Sequence, residues 1–242
     1  MVIVLFTDFG SADVYVGQVK AVLAQQAPEV MCIDLLHDVP SFGVRPGAYL
    51  LDALKDYFPA DSVFLAVVDP GVGGKRDAIV LEADGRRYVG PDNGLMTVVA
   101  ARAAKARWWR MTWRPAVISD SFHGRDLFAP VAAALATGRL PPEWIEALDG
   151  PSTDFGSGDL PEVIYIDHYG NAATGLRAPR ANPDAVLRVG SSRLTYARVF
   201  CDAPTGALFW HANSYGLVEI AQSGGDAAQA LGVKIGDPVR WD

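Results

Sequence analysis

Runs of apolar residues alternate with segments of helical spacing through the first part of the chain. Residues 2–6 are continuously apolar and end at Thr7-Asp8, a pattern typical of a strand that is buried on both faces. In the segment that follows, apolar residues recur every three or four positions until Pro28, which indicates a helix. The alternation continues to residue 68 and then gives way to a hairpin pattern around Asp84-Gly85. We therefore expect an α/β domain with a mostly parallel sheet flanked by helices.

The character of the chain changes at residues 149–159, where Gly, Pro, Ser and Asp concentrate and no apolar period is present. This composition is typical of a linker. Beyond it the apolar runs are short and strand-like, as in a small antiparallel sheet or barrel. The sequence predicts an N-terminal α/β domain at 1–150, a linker at 151–160 and a smaller, barrel-like antiparallel β domain at 161–242.

Composition and charge narrow the function classes. The 242 residues include 21 Lys and Arg against 28 Asp and Glu, and the net charge of −7 argues against a nucleic-acid partner. Half of the residues are hydrophobic, which is enough for a buried core. The N-terminus lacks the basic lead and long apolar stretch of a signal peptide, and no apolar run reaches the roughly 20 residues of a membrane span. We expect a cytoplasmic protein without a membrane segment.

Cysteine usage agrees with that compartment. Cys32 and Cys201 are too few for a disulfide framework and lack the clustering of a zinc site. We interpret both as buried thiols in a reducing environment, and we expect no bound metal.

Two acidic residues follow apolar strand patterns in the first domain. Asp8 stands where ligands bind in open α/β sheets, and its carboxylate could accept hydrogen bonds from a ribose diol or cap the next helix. Asp69 is followed by a Gly-rich turn and, seven positions later, by Arg76. That turn lacks the spacing of a phosphate-binding loop. It is either a shaped active-site loop or a structural turn closed by an Asp–Arg pair.

Other polar loops adjoin strand patterns in both domains. The first domain has GPDNG at 90–94 and SFHGRD at 121–126, and clustering acids, arginines and a His at strand ends is costly enough to favour a functional site. The second domain has IDHYGN at 166–171 and NSYG at 213–216. An aromatic residue between Asp and Asn could stack on a planar base while the amide reads its edge. Turns closed by Asx side chains are the alternative for these loops.

These loops form a series along the chain: TDFG, HDVPSF, VVDPGVGG with its trailing Arg, GPDNG, FHGRD, IDHYGN and NSYGLVEIA. In this combination and order the chain resembles the S-adenosylmethionine hydroxide adenosyltransferase family, which is related to the fluorinating and chlorinating enzymes that attack the same substrate. The resemblance covers nearly the whole chain and implies two domains. It also implies S-adenosylmethionine as substrate, no separate cofactor, and a homotrimer whose sites form between the N-terminal domain of one subunit and the C-terminal domain of the next.

The resemblance assigns roles residue by residue. Asp69, Arg76 and His123 stand where the family has a set close to the reacting carbon. Asp8 would hold the ribose hydroxyls, Phe42 would pack on the nucleoside and Phe122 would line the pocket. In the second domain the implied contacts are Asp167 with the methionine amino group, Tyr169 with the adenine face, Asn171 with the adenine edge and Ser214 with the methionine carboxylate.

Several positions depart from the halogenating relatives. Where those enzymes carry a Tyr, a small residue such as Thr, and a Tyr-Ser pair, this chain has Asp69, Val72 and His123-Gly124. These differences favour water over halide as the nucleophile. Tyr215 stands where the halogenating relatives have an Arg that contacts the methionine carboxylate.

The sequence therefore predicts hydrolysis of S-adenosyl-L-methionine by water attack at ribose C5′, giving adenosine and L-methionine. Asp69 and His123 would orient and deprotonate the water, either of them as the base, while Arg76 stabilises developing hydroxide. A protein that senses S-adenosylmethionine or adenosine without turnover is one alternative, and the intact Asp69, Arg76 and His123 set disfavours it. A halogenating enzyme is the other, disfavoured by Asp69 in place of Tyr.

Overall fold

The computed structural model describes residues 1–178 and 184–242. The chain divides into two compact units, residues 1–157 and 158–242. Residues 152 and 155 hydrogen-bond through their backbone amides to Asp92 and to Thr97 Oγ1 of the first unit. The bounds of the linker at 151–160 stay a prediction.

The first unit contains strands and helices in alternation. Its strands are β1 Val2–Thr7, β2 Met31–Leu36, β3 Val63–Val67, β4 Ala78–Ala83, β5 Arg86–Pro91, β6 Ala106–Met111 and β7 Ile145–Leu148. Its helices are α1 Val14–Gln26, α2 Val44–Leu54, α3 Thr97–Arg102 and α4 Ala129–Ala136, with 3-10 turns at Lys55–Tyr57 and Pro142–Trp144. A π-helical turn at Gly124–Phe128 leads directly into α4.

The strands of this fully described unit form one sheet in the order β2-β1-β3-β5-β4-β6-β7. The pairs β1–β2, β1–β3 and β3–β5 are parallel, and the pairs from β5 through β4 and β6 to β7 are antiparallel. Five strands consequently share one direction, with β4 and β7 reversed. A two-residue turn at Asp84-Gly85 can only join antiparallel strands, so the hairpin pattern accounts for the change. The α/β expectation is confirmed, with an antiparallel extension.

Burial explains why the parallel strands read as unbroken apolar runs. Leu5 of β1 and Leu65 of β3 are 1% and 0% exposed, and they share a core with Val19 of α1 and Val131 of α4. The carboxyl ends of these adjacent strands lie together, since the amide of Asp8 donates to the Val67 carbonyl at 3.3 Å. The loops that begin at Asp8 and Asp69 therefore leave the sheet side by side.

The second unit is a small β structure. Its described strands are β8 Leu160–Ile166, β9 Ala172–Arg177, β10 Leu187–Val189, β11 Ser192–Tyr196, β12 Leu208–Ala212, β13 Leu217–Gln222 and β14 Val239–Trp241, with helix α5 Ala227–Leu231 and a 3-10 turn at Phe200–Asp202. Their order is β14-β10-β11-β12-β13-β9-β8, and the pairing is antiparallel except between β11 and β12. β8 and β14 are the two edge strands of this sheet. The amide of Val163 in β8 donates at 2.9 Å to the carbonyl of Asp237, just before β14, and so brings these edges together. The predicted barrel-like β domain is confirmed.

Some details of the sequence expectations need correction or addition. The apolar spacing of residues 96–106 predicts a helix over that range, but α3 ends at Arg102 and is followed by β6, whose charged and Trp residues do not form an apolar run. Strand β7, strand β9 and helix α5 had no counterpart in the sequence pattern. Two buried thiols were expected, but Cys32 is only half-buried and Cys201 is exposed, because it lies on the 3-10 turn. Within the described ranges, no helix combines the length and apolar character needed to cross a bilayer.

Candidate active site

The carboxyl ends of β1 and β3 open into a cleft of about 370 Å³ in the first unit. Its lining consists of Asp8, Phe9, Asp13, Tyr15, Phe42, Val67, Asp69, Val72, Ser121, Phe122, His123 and Gly124. Five of the residues to which the sequence assigned a catalytic or binding role lie together here: Asp8, Phe42, Asp69, Phe122 and His123. Phe9 and Tyr15 were missed, although Phe9 belongs to the TDFG sequence.

Asp69, Arg76 and His123 form a continuous hydrogen-bonded set. Arg76 donates from Nε to Asp69 Oδ1 at 3.0 Å and from Nη2 to the other carboxylate oxygen. The same Nη2 lies 3.0 Å from Nδ1 of His123. The side chains of Asp69 and Arg76 are 6% and 12% exposed, so their charges are largely removed from water. Within the fully described residues 1–157, Asp69 and His123 line the cleft and Arg76 does not, which makes Arg76 a support for both.

The contact with Arg76 determines the proton position on His123. A guanidinium has donors and no acceptor, so Nδ1 of His123 must accept and the neutral ring carries its proton on Nε2. Burial lowers the pKa of His123, the Arg76 charge lowers it further, and Asp69 opposes these effects. His123 is therefore a neutral hydrogen-bond donor at neutral pH.

Asp8 is tied to an unusual backbone conformation at Phe42. Its Oδ2 accepts a hydrogen bond from the Phe42 amide at 3.1 Å. Phe42 has φ of 61°, in the left-handed region that bulky residues rarely adopt, and its side chain is 74% exposed at the cleft. The cap of α1 is Asp13, which accepts from the Val14 amide, so the capping alternative for Asp8 is wrong. Burial raises the pKa of Asp8 although the Phe42 amide opposes this, and Asp69 adds to the rise.

Close packing of two loops gives the cleft its shape. Gly73, in the turn after Asp69, has φ of 77°, and a Cβ there would lie 2.4 Å from the carbonyl oxygen of Asp120. The turn after Asp69 thus packs directly on the loop that precedes His123. A Cβ on Gly124 would lie 2.7 Å from the Phe9 ring, and the π-helical turn begins at this glycine. Such turns are frequent at functional sites.

The GPDNG loop has a supporting position in the first unit. Asn93 Nδ2 donates to the carbonyl of Val68, immediately before Asp69, at 2.8 Å. Asp92 is 7% exposed and accepts a hydrogen bond from the Ser152 amide at 3.0 Å. The loop therefore holds the strand end that presents Asp69.

The second unit has its own pocket, of about 520 Å³, lined by Asp167, Tyr169, Asn171, Phe200, Gln222, Gly224 and Gly225. Asp167 Oδ1 accepts from the amides of Tyr169 and Asn171, both at 2.9 Å, and Oδ2 accepts from Asn171 Nδ2 at 2.9 Å. The Asx-turn geometry that was the alternative is therefore present, and the same loop lines the pocket. Tyr169 is 75% exposed, whereas Asn171 is 6% exposed. Phe200 and Gln222 were missed, since neither stands in a sequence that suggested a site.

Ser214 is exposed on the NSYG turn and, in the described part of the unit, lies outside this pocket lining. Asn213 closes the turn by accepting from the amides of Tyr215 and Leu217. Its Nδ2 donates to the buried Glu219 at 3.0 Å. Burial raises the pKa of the Tyr215 hydroxyl, and Glu219 and Asp167 raise it further.

Among residues 1–178 and 184–242, no group of three or more His, Cys, Asp or Glu side chains is arranged to hold a metal ion.

Models of the SAM hydroxide adenosyltransferase N-terminal and C-terminal domains match residues 3–145 and 161–240. The chain belongs to the SAM hydroxide adenosyltransferase family. The two matched regions fall one in each compact unit.

Individual relatives agree with the family match. Proteins named (R)-S-adenosyl-L-methionine hydrolase from Salinispora arenicola and Thermus thermophilus are 42% and 41% identical to this family member, with 97% of its chain and 95% and 96% of theirs aligned. An uncharacterized conserved protein from Thermotoga maritima, known from its crystal structure, has a TM-score of 0.90 and 36% identity, with 99% of both chains covered. A fluorinase from Actinopolyspora mzabensis is more distant, at 24% identity over 99% of this chain and 96% of its own.

Proposed function

We propose that this protein hydrolyses S-adenosyl-L-methionine: water attacks ribose C5′, the C5′–S bond breaks, and adenosine, L-methionine and a proton are formed. Family membership and the hydrolase names of relatives about 40% identical support the proposal. The observation that carries it is that Asp69 and His123, which Arg76 joins by hydrogen bonds, line the same cleft as Asp8. A binding protein would need Asp8 but has no use for a water-activating set.

Activation of the nucleophile is the chemical difficulty. The sulfonium leaves as a neutral thioether, so the leaving group needs no acid, whereas water is a weak nucleophile. We assign Asp69 as the base, because Nδ1 of His123 is engaged by Arg76 and Nε2 carries a proton. His123 donates from Nε2 to orient the water, and Arg76 holds both partners. General base catalysis contributes about 10²–10⁴-fold, and in-line positioning adds to it.

The remaining site residues are assigned to substrate binding. Asp8 accepts hydrogen bonds from the ribose hydroxyls, while Phe42 and Phe122 provide apolar walls. Asp167 binds the methionine amino group, Tyr169 stacks on adenine, Asn171 binds the adenine edge through its side-chain carbonyl oxygen, and Ser214 binds the methionine carboxylate. Exposed Tyr169 beside buried Asn171 supports a stacking face next to a fixed amide.

The proposal extends to assembly and location. A cytoplasmic homotrimer would bind each substrate between the N-terminal domain of one subunit and the C-terminal domain of the next, as the family resemblance implies. No resident cofactor or metal takes part in this scheme. Sedimentation equilibrium of the purified protein tests the trimer, and a monomer at working concentration would contradict it.

Hydrolysis in ¹⁸O-labelled water tests the function. Both sulfonium epimers are supplied separately, because the relatives are named for the (R) form. We expect ¹⁸O in the 5′-hydroxyl of adenosine by mass spectrometry, with no halogenated nucleoside when chloride or fluoride is added. Binding of either epimer without adenosine release would indicate a sensor, and a halogenated nucleoside would indicate a halogenating enzyme.

A further inference from the structure

A second polar series, buried at Thr7 and His37 and exposed at Asp34 and Lys20, lies next to Asp8 and takes no part in the proposed chemistry. Thr7 and His37 are 1% and 7% exposed, and Thr7 Oγ1 lies 2.8 Å from Nδ1 of His37. The other ring nitrogen, Nε2, lies 3.2 Å from Asp34 Oδ1. Lys20 Nζ completes the series at 3.0 Å from Asp34 Oδ2.

The contacts from the Phe9 amide to Asp34 share one direction of donation, and Lys20 donates to Asp34 from the other side. An imidazole nitrogen that faces a carboxylate carries the proton in the neutral tautomer, so the Asp34 contact places it on Nε2 of His37. Nδ1 then accepts from the Thr7 hydroxyl. Thr7 Oγ1 in turn accepts from the Phe9 amide at 3.4 Å. The series therefore runs from the backbone on one side of Asp8 to the Asp34 carboxylate.

Backbone contacts hold the other sides of Asp8. The Gly10 amide donates to the His37 carbonyl at 2.8 Å, and the Val39 amide donates to the Thr7 carbonyl at 3.2 Å. The segment from 37 to 42 also supplies the Phe42 amide that binds the Asp8 carboxylate. His37 is the one side chain of that segment that the structure joins to Thr7.

We propose that His37 is a positioning residue, which acts through the Thr7 hydroxyl to hold the Asp8 carboxylate where it can bind both ribose hydroxyls. The inference rests on the proposed role of Asp8 in the proposed function. It predicts that loss of the Thr7–His37 hydrogen bond weakens recognition of the ribose and leaves the chemical step nearly intact.

Thr7→Val tests this contact, because it removes the hydroxyl with little change of volume. Thr97→Val is a matched control, because Thr97 is 2% exposed and its hydroxyl, like that of Thr7, takes part in two hydrogen bonds. It donates to a backbone carbonyl and accepts from a backbone amide of the same unit. Thr7→Ser keeps the hydroxyl and is a further control. His37→Gln removes the imidazole partner of Thr7 and tests the same hydrogen bond if Thr7→Val does not fold. Thermal denaturation of all variants measures the cost of a lost buried hydrogen bond.

We expect KM of Thr7→Val to rise about tenfold while kcat stays within about twofold, the pattern of lost ground-state binding. Thr7→Ser and Thr97→Val should keep the wild-type KM. Calorimetry with adenosine, 2′-deoxyadenosine and 3′-deoxyadenosine should show a preference for adenosine in the wild type that Thr7→Val and His37→Gln lose. Unchanged KM and preference in those variants, or an equal KM rise in Thr97→Val, would overturn the inference. If wild-type protein forms no adenosine, the proposed function fails, and the calorimetric preference alone decides the role of His37.

Discussion

The two pockets of this protein are assembled from different kinds of contact. In the first unit, Arg76 bonds to Asp69, seven positions away, and to His123, 47 positions away. In the second unit, the bonds to the Asp167 carboxylate come from residues two and four positions away. The first pocket depends on how distant segments pack, whereas the acidic loop of the second can form by itself.

The proposed reacting groups of the first pocket differ in exposure from the proposed stacking residue of the second. The side chain of Asp69 is 6% exposed, whereas Tyr169 is 75% exposed. Charges removed from water interact more strongly, which suits groups that act on a reacting atom. An exposed ring beside a fixed amide suits recognition. Substitutions of Asp69 and His123 should therefore lower kcat, and substitutions of Tyr169 should raise KM.

The largest expected effect is that of Asp69→Asn. The amide cannot take the proton from water and leaves Arg76 without its carboxylate partner, so kcat for adenosine formation should fall about 10³-fold. Asp77→Asn is the control, because Asp77 is 41% exposed and pairs with Arg110. Steady-state kinetics measure both, and wild-type kcat in Asp69→Asn would remove Asp69 from the mechanism.

Gly73→Ala should have the next largest effect. Its Cβ would lie 2.4 Å from the Asp120 carbonyl oxygen at a φ of 77°, so the loops that carry Asp69 and His123 must separate. We expect kcat to fall about 10- to 100-fold, since small displacements of reacting groups are costly. Stability should fall by about 1–3 kcal/mol in thermal denaturation. In the control Gly71→Ala, the added Cβ would lie 3.9 Å from its nearest neighbours, so this variant should lose far less activity and stability. Equal losses in both variants would contradict the packing argument.

Tyr169→Ala should act on binding. Stacking of a base on an aromatic ring contributes about 1–3 kcal/mol, so KM should rise about tenfold or more with little change in kcat. Tyr169→Phe keeps the stacking face and should bind like the wild type. A fall in kcat at constant KM would place Tyr169 with the reacting groups instead.

The smallest expected effect is a change in the ionisation of His123. With four histidines in the chain, NMR titration can follow its ring individually. Its pKa should lie below the ordinary 6.5, and Arg76→Gln should raise it by removing a neighbouring positive charge. Because protonated Nδ1 cannot accept from Arg76, activity should fall as the pH drops through the lowered pKa. A pKa above 6.5 in the wild type would contradict the assigned neutral donor.

Much of the fold could be predicted from local patterns. Strands β1 and β3 are unbroken apolar runs because both of their faces are buried, and the hairpin follows from Asp84-Gly85. Strand β6 was missed because Arg107-Trp-Trp-Arg110 is neither an apolar run nor an alternation of apolar and polar residues, and only pairing with β4 and β7 makes it a strand. The roles of Phe9 and Tyr15 were missed for a similar reason, because the sequence does not show which residues an aromatic side chain will contact in the folded chain.

Sequence alone was sufficient for the α/β and β units, for the acids at the ends of apolar strands, and for the resemblance to one family, because these depend on residue type and on spacing along the chain. Contacts in the folded chain were needed to join Arg76 to both Asp69 and His123, to place Arg76 outside the cleft lining, and to bring Thr7, His37 and Asp34 into one series. Those relations depend on sheet register and on the packing of loops that are distant in sequence, and residue spacing does not encode them.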